Sequence, residues 1–118
     1  MVYRQVHPSL LQHGRVTSRA FHPTPRDKGV LSGYDGDQMT PHQSWVHYTE
    51  VVKLVSCGVL GLTVSEWQSR ALTVTLDGVP YPEHVSIDFN VISQGTWEKT
   101  SKLLRDRGVS RGWLYQPT

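Results

Sequence analysis

The sequence predicts a strand-rich α+β domain, a curved and mainly antiparallel sheet carrying two longer helices, on three observations. Fifteen valines and ten threonines stand against two alanines, and branching at Cβ restricts χ1 in helices while suiting a pleated surface. Several segments alternate polar with apolar residues, the pattern of a strand with one buried face. Two further segments carry the capping and charge signals of helices. With 118 residues, 37% of them hydrophobic, the chain has the length and apolar content of one folded domain spanning residues 1–118.

Val2 to Val6 alternates and reads as a first strand. Arg15 to Phe21 reads as a second, with Val16, Ser18 and Ala20 on one side and Arg15, Thr17, Arg19 and Phe21 on the other. Between them and the third strand, Val30 to Tyr34, the segment His22-Pro23-Thr24-Pro25 is an extended loop, because each proline restricts the residue before it. Asp35-Gly36 stops the third strand with a turn. Thr40-Pro41-His42-Gln43 then opens a helix: Thr40 caps free amides, Pro41 suits the first helical position and Gln43 completes a capping box. Trp45, Tyr48, Val52 and Val55 follow as one apolar stripe.

Val59 to Val64 has the continuous apolar character of a buried strand, and Ser65-Glu66 starts a short helix ending near Arg70. Leu72, Val74 and Leu76 alternate with threonines before the Asp77-Gly78 turn. His84, Ser86 and Asp88 alternate with Val85, Ile87 and Phe89, giving a strand with one polar and one apolar face. The second long helix is expected from Thr96 to just before Gly108, with Glu98 ahead of Lys102 and with Arg105 and Arg107 in its last turn. Trp113-Leu114-Tyr115 reads as a closing strand.

The net charge of +2 hides an uneven distribution. Residues 1–28 hold five Lys/Arg against one acid, residues 29–98 two against eight, and residues 99–118 five against one. Such blocks either neutralise one another in the fold or converge on an anion such as a nucleotide phosphate. The chain lacks the basic, aromatic-interleaved stripe of a nucleic-acid binder. No apolar run approaches the ~20 residues of a membrane span, and no signal-peptide core is visible, so a cytoplasmic location is expected.

The single Cys57 excludes an internal disulfide and a cysteine-cluster zinc site, and its apolar neighbours suit an inert buried thiol. Six histidines raise the question of a metal. His42 and His47 point roughly 140° apart on a helix, and His84 and Asp88 lie about 13 Å apart along a strand, so neither pair chelates and no metal is expected. Asp35-Gly36-Asp37 lacks the further oxygen ligands of a calcium loop. Walker, dinucleotide-binding, nucleophile-elbow and Cys-x-x-Cys motifs are absent.

What stands out is a polar set on the strands: Arg4 and His7, Ser18 and Arg19, Ser32 and Tyr34, then Glu50, His84 and Asp88. Arginine grips phosphate bidentately, tyrosine stacks on a base, and a carboxylate orients a ribose hydroxyl or water. The early Arg4, the strand Val16-Thr17-Ser18-Arg19-Ala20-Phe21, the strand ending at Tyr34 and the helix bearing Glu50 together resemble the ADP-ribosyltransferase superfamily. Small NAD-degrading toxin domains of the RES type are the nearest in kind, and the resemblance covers roughly the first half of the chain. It implies NAD as substrate and an NAD glycohydrolase or ADP-ribosyltransferase-like activity of toxin or effector type. In that scheme Arg4 and Arg19 hold the phosphates, Tyr34 stacks on the base, and Glu50 stabilises cationic charge as the glycosidic bond breaks.

A rival expectation is a non-catalytic interaction module, an accessory or immunity subunit or a homodimer, that presents Trp67, Trp97 and Trp113 to a protein partner. A third is a nuclease working through His7, His22 or His84, since histidine shuttles protons near neutral pH.

Overall fold

The computed structural model describes residues 1–118. Along the chain run β1 (Val2–Val6), β2 (Leu11–Gln12), β3 (Arg15–Val16), β4 (Val30–Asp35), α1 (Pro41–Val46), β5 (Gly58–Leu62), α2 (Val64–Gln68), β6 (Thr73–Thr75), β7 (His84–Asp88) and α3 (Trp97–Arg111). Five strands form one sheet in the order β5-β1-β4-β7-β6, and β2 and β3 make a separate hairpin. Every pairing is antiparallel, as expected of an α+β fold of this composition. The sheet does not show the expected curvature; what distinguishes it is a split between β1 and β4, described below.

One face of the sheet carries Val2, Val6, Leu31, Leu60, Leu62, Val85 and Ile87, all buried together with Phe21, Trp67 and Leu104 from the elements above it. The other face carries Tyr3, Tyr34 and Val59, covered by Trp45, Tyr48, Tyr81, Leu114 and Tyr115. The alternation of β7 is realised as predicted, with Val85, Ile87 and Phe89 fully buried.

Two of the expected elements form differently. Arg15–Phe21 is not one strand: after Val16 the chain turns into a 3-10 helix over Ser18–Phe21. A strand would have put Arg19 and Phe21 on one face, whereas the turn sends Ala20 and Phe21 into the core and leaves Arg19 exposed. The first helix is also shorter than its stripe suggested. Its Thr40–Gln43 capping box forms as expected, but α1 passes at once into a π-helical turn, His47–Val51, and Lys53 adopts a positive φ of 66°. Val55 consequently lies exposed, outside the helix.

Helix α3 runs through Gly108 instead of stopping before it. Glycine serves packing at this point, not termination: a Cβ there would lie 3.2 Å from Phe21 Cζ. Only α3 is long, with 15 residues.

Charge neutralisation operates between the acidic middle and the basic C-terminal block. Glu66 of α2 accepts hydrogen bonds from Arg111 at 2.7 and 3.0 Å and pairs with Arg107 as well, tying α2 to α3. The hydrogen bond from Arg111, then those from Thr63 and Arg107, outweigh burial and hold the Glu66 carboxyl at about 2, below its ordinary 4.5. A depressed folded-state pKa means stabilisation that is present above the ordinary value and lost as pH falls from 4.5 towards 2. Glu66→Gln is therefore expected to cost about 1–2 kcal/mol at pH 7, the site being partly exposed. Thermal melts of the two proteins should converge near pH 2.

Candidate functional site

The site begins with a defect in strand pairing. β1 pairs with β5 over five residues and β4 with β7 over five, yet β1 meets β4 only at Val2–Asp35 and Tyr3–Tyr34. Beyond that point the two strands part. Gly33 sits where they diverge, and a Cβ on it would fall 2.8 Å from Val2 Cγ1 and 3.0 Å from the carbonyl oxygen of Tyr3.

Arg4 fills the split. Its Nε and Nη2 donate to the carbonyl oxygen of Ala20 at 3.1 and 3.0 Å, and its Nη1 donates to that of Ser32 at 2.7 Å. The bond to Ser32 gives that β4 carbonyl a partner where β1 has left it, and those to Ala20 tie the 3-10 segment to the split. Arg4 has no carboxylate partner among the ion pairs of the protein. A guanidinium carries five N–H groups, so two are free of these bonds. Burial lowers the Arg4 pKa from its ordinary value, partly offset by the nearby Tyr48, Asp27 and Tyr81.

In front of the split lies a cavity of about 380 Å³, lined among others by Arg4, Asp27, Ser32, Tyr34, Tyr48, Tyr81 and His84. That volume falls in the range of small-molecule sites. The tyrosines form its aromatic wall: Tyr34 and Tyr81 stack with ring centres 5.2 Å apart, and Tyr48 meets Tyr34 edge-on at 6.5 Å. Burial raises the pKa of all three phenols, so they stay protonated at neutral pH.

The π-turn supplies one side of the cavity. Its His47 ring shares a hydrogen bond of 2.9 Å with the Tyr34 hydroxyl and lies 4.6 Å from Tyr81. Tyr48 of the turn and Val52 and Leu54 just after it line the cavity. The segment is held over the sheet by a buried relay in which Gln5 donates to Ser44 and accepts from Ser56, at 2.9 and 2.8 Å.

On the β4–β7 side of the cavity, three groups are in sequence. His84 Nδ1 lies 2.6 Å from Asp77 Oδ1, and His84 Nε2 lies 3.0 Å from Ser32 Oγ. Ser86 donates to the second oxygen of Asp77. Burial would raise the Asp77 pKa, but the hydrogen bonds from His84 and Ser86 outweigh it and hold the carboxyl below its ordinary value.

The structure thus brings Arg4 and Tyr34 to one cavity and leaves the other two expected site residues out of it. Glu50 is exposed and does not line the cavity. It stands two residues from Tyr48 and from Val52, and a step of two residues along a helical turn carries the side chain roughly half-way round, onto the solvent side. Arg19 is exposed for the reason already given, although the next carbonyl along, that of Ala20, holds Arg4. Tyr34 does not present a free face either, being stacked on Tyr81 and 2% exposed.

The tryptophans expected at a docking surface are packed: Trp67 is fully buried, and Trp97 and Trp113 lie against the core. His7 caps a short 3-10 turn at Pro8–Leu10, and His22 faces Glu98 at 3.7 Å, so the histidines of the nuclease expectation are engaged at separate places. Burial raises the Cys57 thiol, in keeping with an inert role.

The residues missed by sequence reasoning are Asp77, Tyr48 and Tyr81, together with the link between Ser32 and His84. The β4–β7 register pairs Tyr34 with His84 and Ser32 with Ser86, which makes Ser32 and His84 diagonal neighbours within side-chain reach. No protein-family model, curated protein or solved structure matches the chain. No helix is long and apolar enough to cross a membrane.

Proposed function

We propose that the chain binds a phosphate-bearing nucleotide, of the class that includes NAD, in the cavity at the split sheet. The observation that carries this reading is Arg4, a half-buried guanidinium in no ion-pair contact and with two N–H groups unused, set on the wall of an aromatic cavity. Withdrawing even part of such a cation from water is offset when an anion completes its environment. Its two free N–H groups suit a phosphate oxygen, and Tyr81 and Tyr48 offer surfaces for a ring. The cavity of about 380 Å³ suits one nucleoside monophosphate unit, so a dinucleotide would extend beyond it.

Glu50 has no part in this reading, because it stands outside the cavity. The carboxylate that does line the cavity is Asp27, which is engaged by Thr24 through its backbone N–H and its hydroxyl. Binding, not glycosidic cleavage, is therefore the activity proposed.

Calorimetric titration with AMP, ADP-ribose and NAD tests it. Saturable binding is expected, weakened by inorganic phosphate and reduced at least ~5-fold in Tyr81→Ser, since base–aromatic stacking contributes ~1–3 kcal/mol. Absence of saturable binding by all three ligands overturns the proposal. Nicotinamide release measured in parallel should not respond to Glu50→Gln.

A further inference from the structure

The same cavity contains a second chemistry that nucleotide binding does not use. We propose that Ser32, His84 and Asp77 form a nucleophile–base–orienter relay, making the site an acyl-transfer centre for small carboxylic esters or thioesters with an anionic end held by Arg4. The identity of the anionic end rests on the proposed anion grip of Arg4; the relay itself does not.

The geometry supplies each role. Asp77 at 2.6 Å from His84 Nδ1 fixes the proton on that nitrogen, which leaves Nε2 with its lone pair directed at Ser32 Oγ, 3.0 Å away. Both carboxylate oxygens of Asp77 are occupied, one by His84 and the other by Ser86, so the acid is fixed in place. Ser32 and His84 project from neighbouring strands, a rigid platform for a reacting pair. Ser32 is exposed and lines the cavity, whereas His84 is only 8% exposed, so the nucleophile is reachable and the base is shielded. The chain order Ser32, Asp77, His84 carries no weight, because this constellation is defined by roles and distances.

In the first step Ser32 Oγ adds to the carbonyl carbon of the ester while its proton passes to His84 Nε2. The tetrahedral adduct collapses, the bond to the leaving oxygen or sulfur breaks, and His84 returns the proton to that atom. Water, deprotonated by His84, then adds to the acyl-serine; the free acid leaves and Ser32 regains its proton. Atoms and charge balance with water as the only co-reactant. Asp77 stays ionised throughout and stabilises the imidazolium.

The test uses the full chain and a neutral phenylmethanesulfonyl fluoride probe, which reports on the relay without needing an anion site. One sulfonyl adduct is expected, located at Ser32 by peptide mapping, with loss of labelling in Ser32→Ala. His84→Gln should slow labelling ~100-fold or more, in line with the contribution of a positioned base. Hydrolysis of p-nitrophenyl acetate should fall in parallel in both variants. No adduct at Ser32 in the wild-type chain overturns the proposal, and that result needs no variant to fold. Labelling of Ser32 at an unchanged rate in a folded His84→Gln also overturns it, since the hydroxyl would then be an ordinary surface serine. AMP in the labelling reaction separates the two readings: protection of Ser32 supports both, and labelling without protection, together with no calorimetric binding of AMP, ADP-ribose or NAD, supports the relay while removing the nucleotide.

Discussion

Phe21→Ala is expected to lower stability by about 3–5 kcal/mol, the range for truncating a large buried aromatic. Phe21 is fully buried and meets the Trp67 ring at 5.8 Å. The missing side chain of Gly108 leaves the space its ring tip occupies, and its backbone carbonyl accepts the Ser101 hydroxyl at 3.0 Å. One side chain therefore locks the 3-10 segment, α2 and α3 to the sheet. Domains of this size have only ~5–15 kcal/mol of stability in total, so a fall in Tm of roughly 10–20 °C is expected. Urea denaturation followed by tryptophan fluorescence measures it. A loss under about 1 kcal/mol would show that the core collapses around the gap.

Arg4→Met has the second-largest expected effect and acts on both stability and binding. Methionine retains the apolar stem but removes every donor, leaving the carbonyls of Ala20 and Ser32 without the partners they have now. The Ala20 carbonyl so stranded costs ~1–3 kcal/mol and the exposed Ser32 carbonyl less, while relief from burying a charge works in the opposite direction. A net loss of about 1–3 kcal/mol is expected, read by chemical denaturation. Affinity for AMP should fall more than ~100-fold, as charge-assisted phosphate bonds disappear. Arg4→Lys separates the two contributions, because an ammonium keeps the charge and cannot span both carbonyls in the same fork. It should recover part of the binding and little of the stability. Unchanged AMP affinity in Arg4→Met would remove Arg4 from the site.

The sheet strands were legible where alternation was strict. Val85, Ile87 and Phe89 announced the buried face of β7, and the capping box Thr40–Gln43 announced α1. Arg15–Phe21 misled because Val16, Ser18 and Ala20 can be set on one side of a strand, whereas the adjacent pair Ala20 and Phe21 both face inward, which a 3-10 turn allows and a strand does not. Gly108 misled because glycine ends helices when its φ is free and sits inside them when a neighbour needs the space.

The site was legible in part for a related reason. Arg4 and Tyr34 are strand residues whose positions follow from register, and both reach the cavity. Glu50 depends on the phase of a helix, and the π-turn that sets this phase has no sequence signature. Asp77, before Gly78, has the sequence signature of a turn residue. Its second role arises only when β6 and β7 pair and the turn between them brings the carboxylate back to His84.

The C-terminal chain has a protective consequence. Tyr115 bridges to Val59, whose amide donates to the Tyr115 carbonyl and whose carbonyl accepts from the Leu114 amide, each at 2.9 Å, and Arg111 caps the carbonyl of Gly61 at 2.9 Å. The outer rim of β5 is thereby blunted against edge-to-edge joining with another molecule, the route by which exposed strands polymerise. At the far rim β6 spans three residues and presents two exposed threonines, too short a template for stacking. A fold whose middle is deliberately unzipped keeps its margins shut.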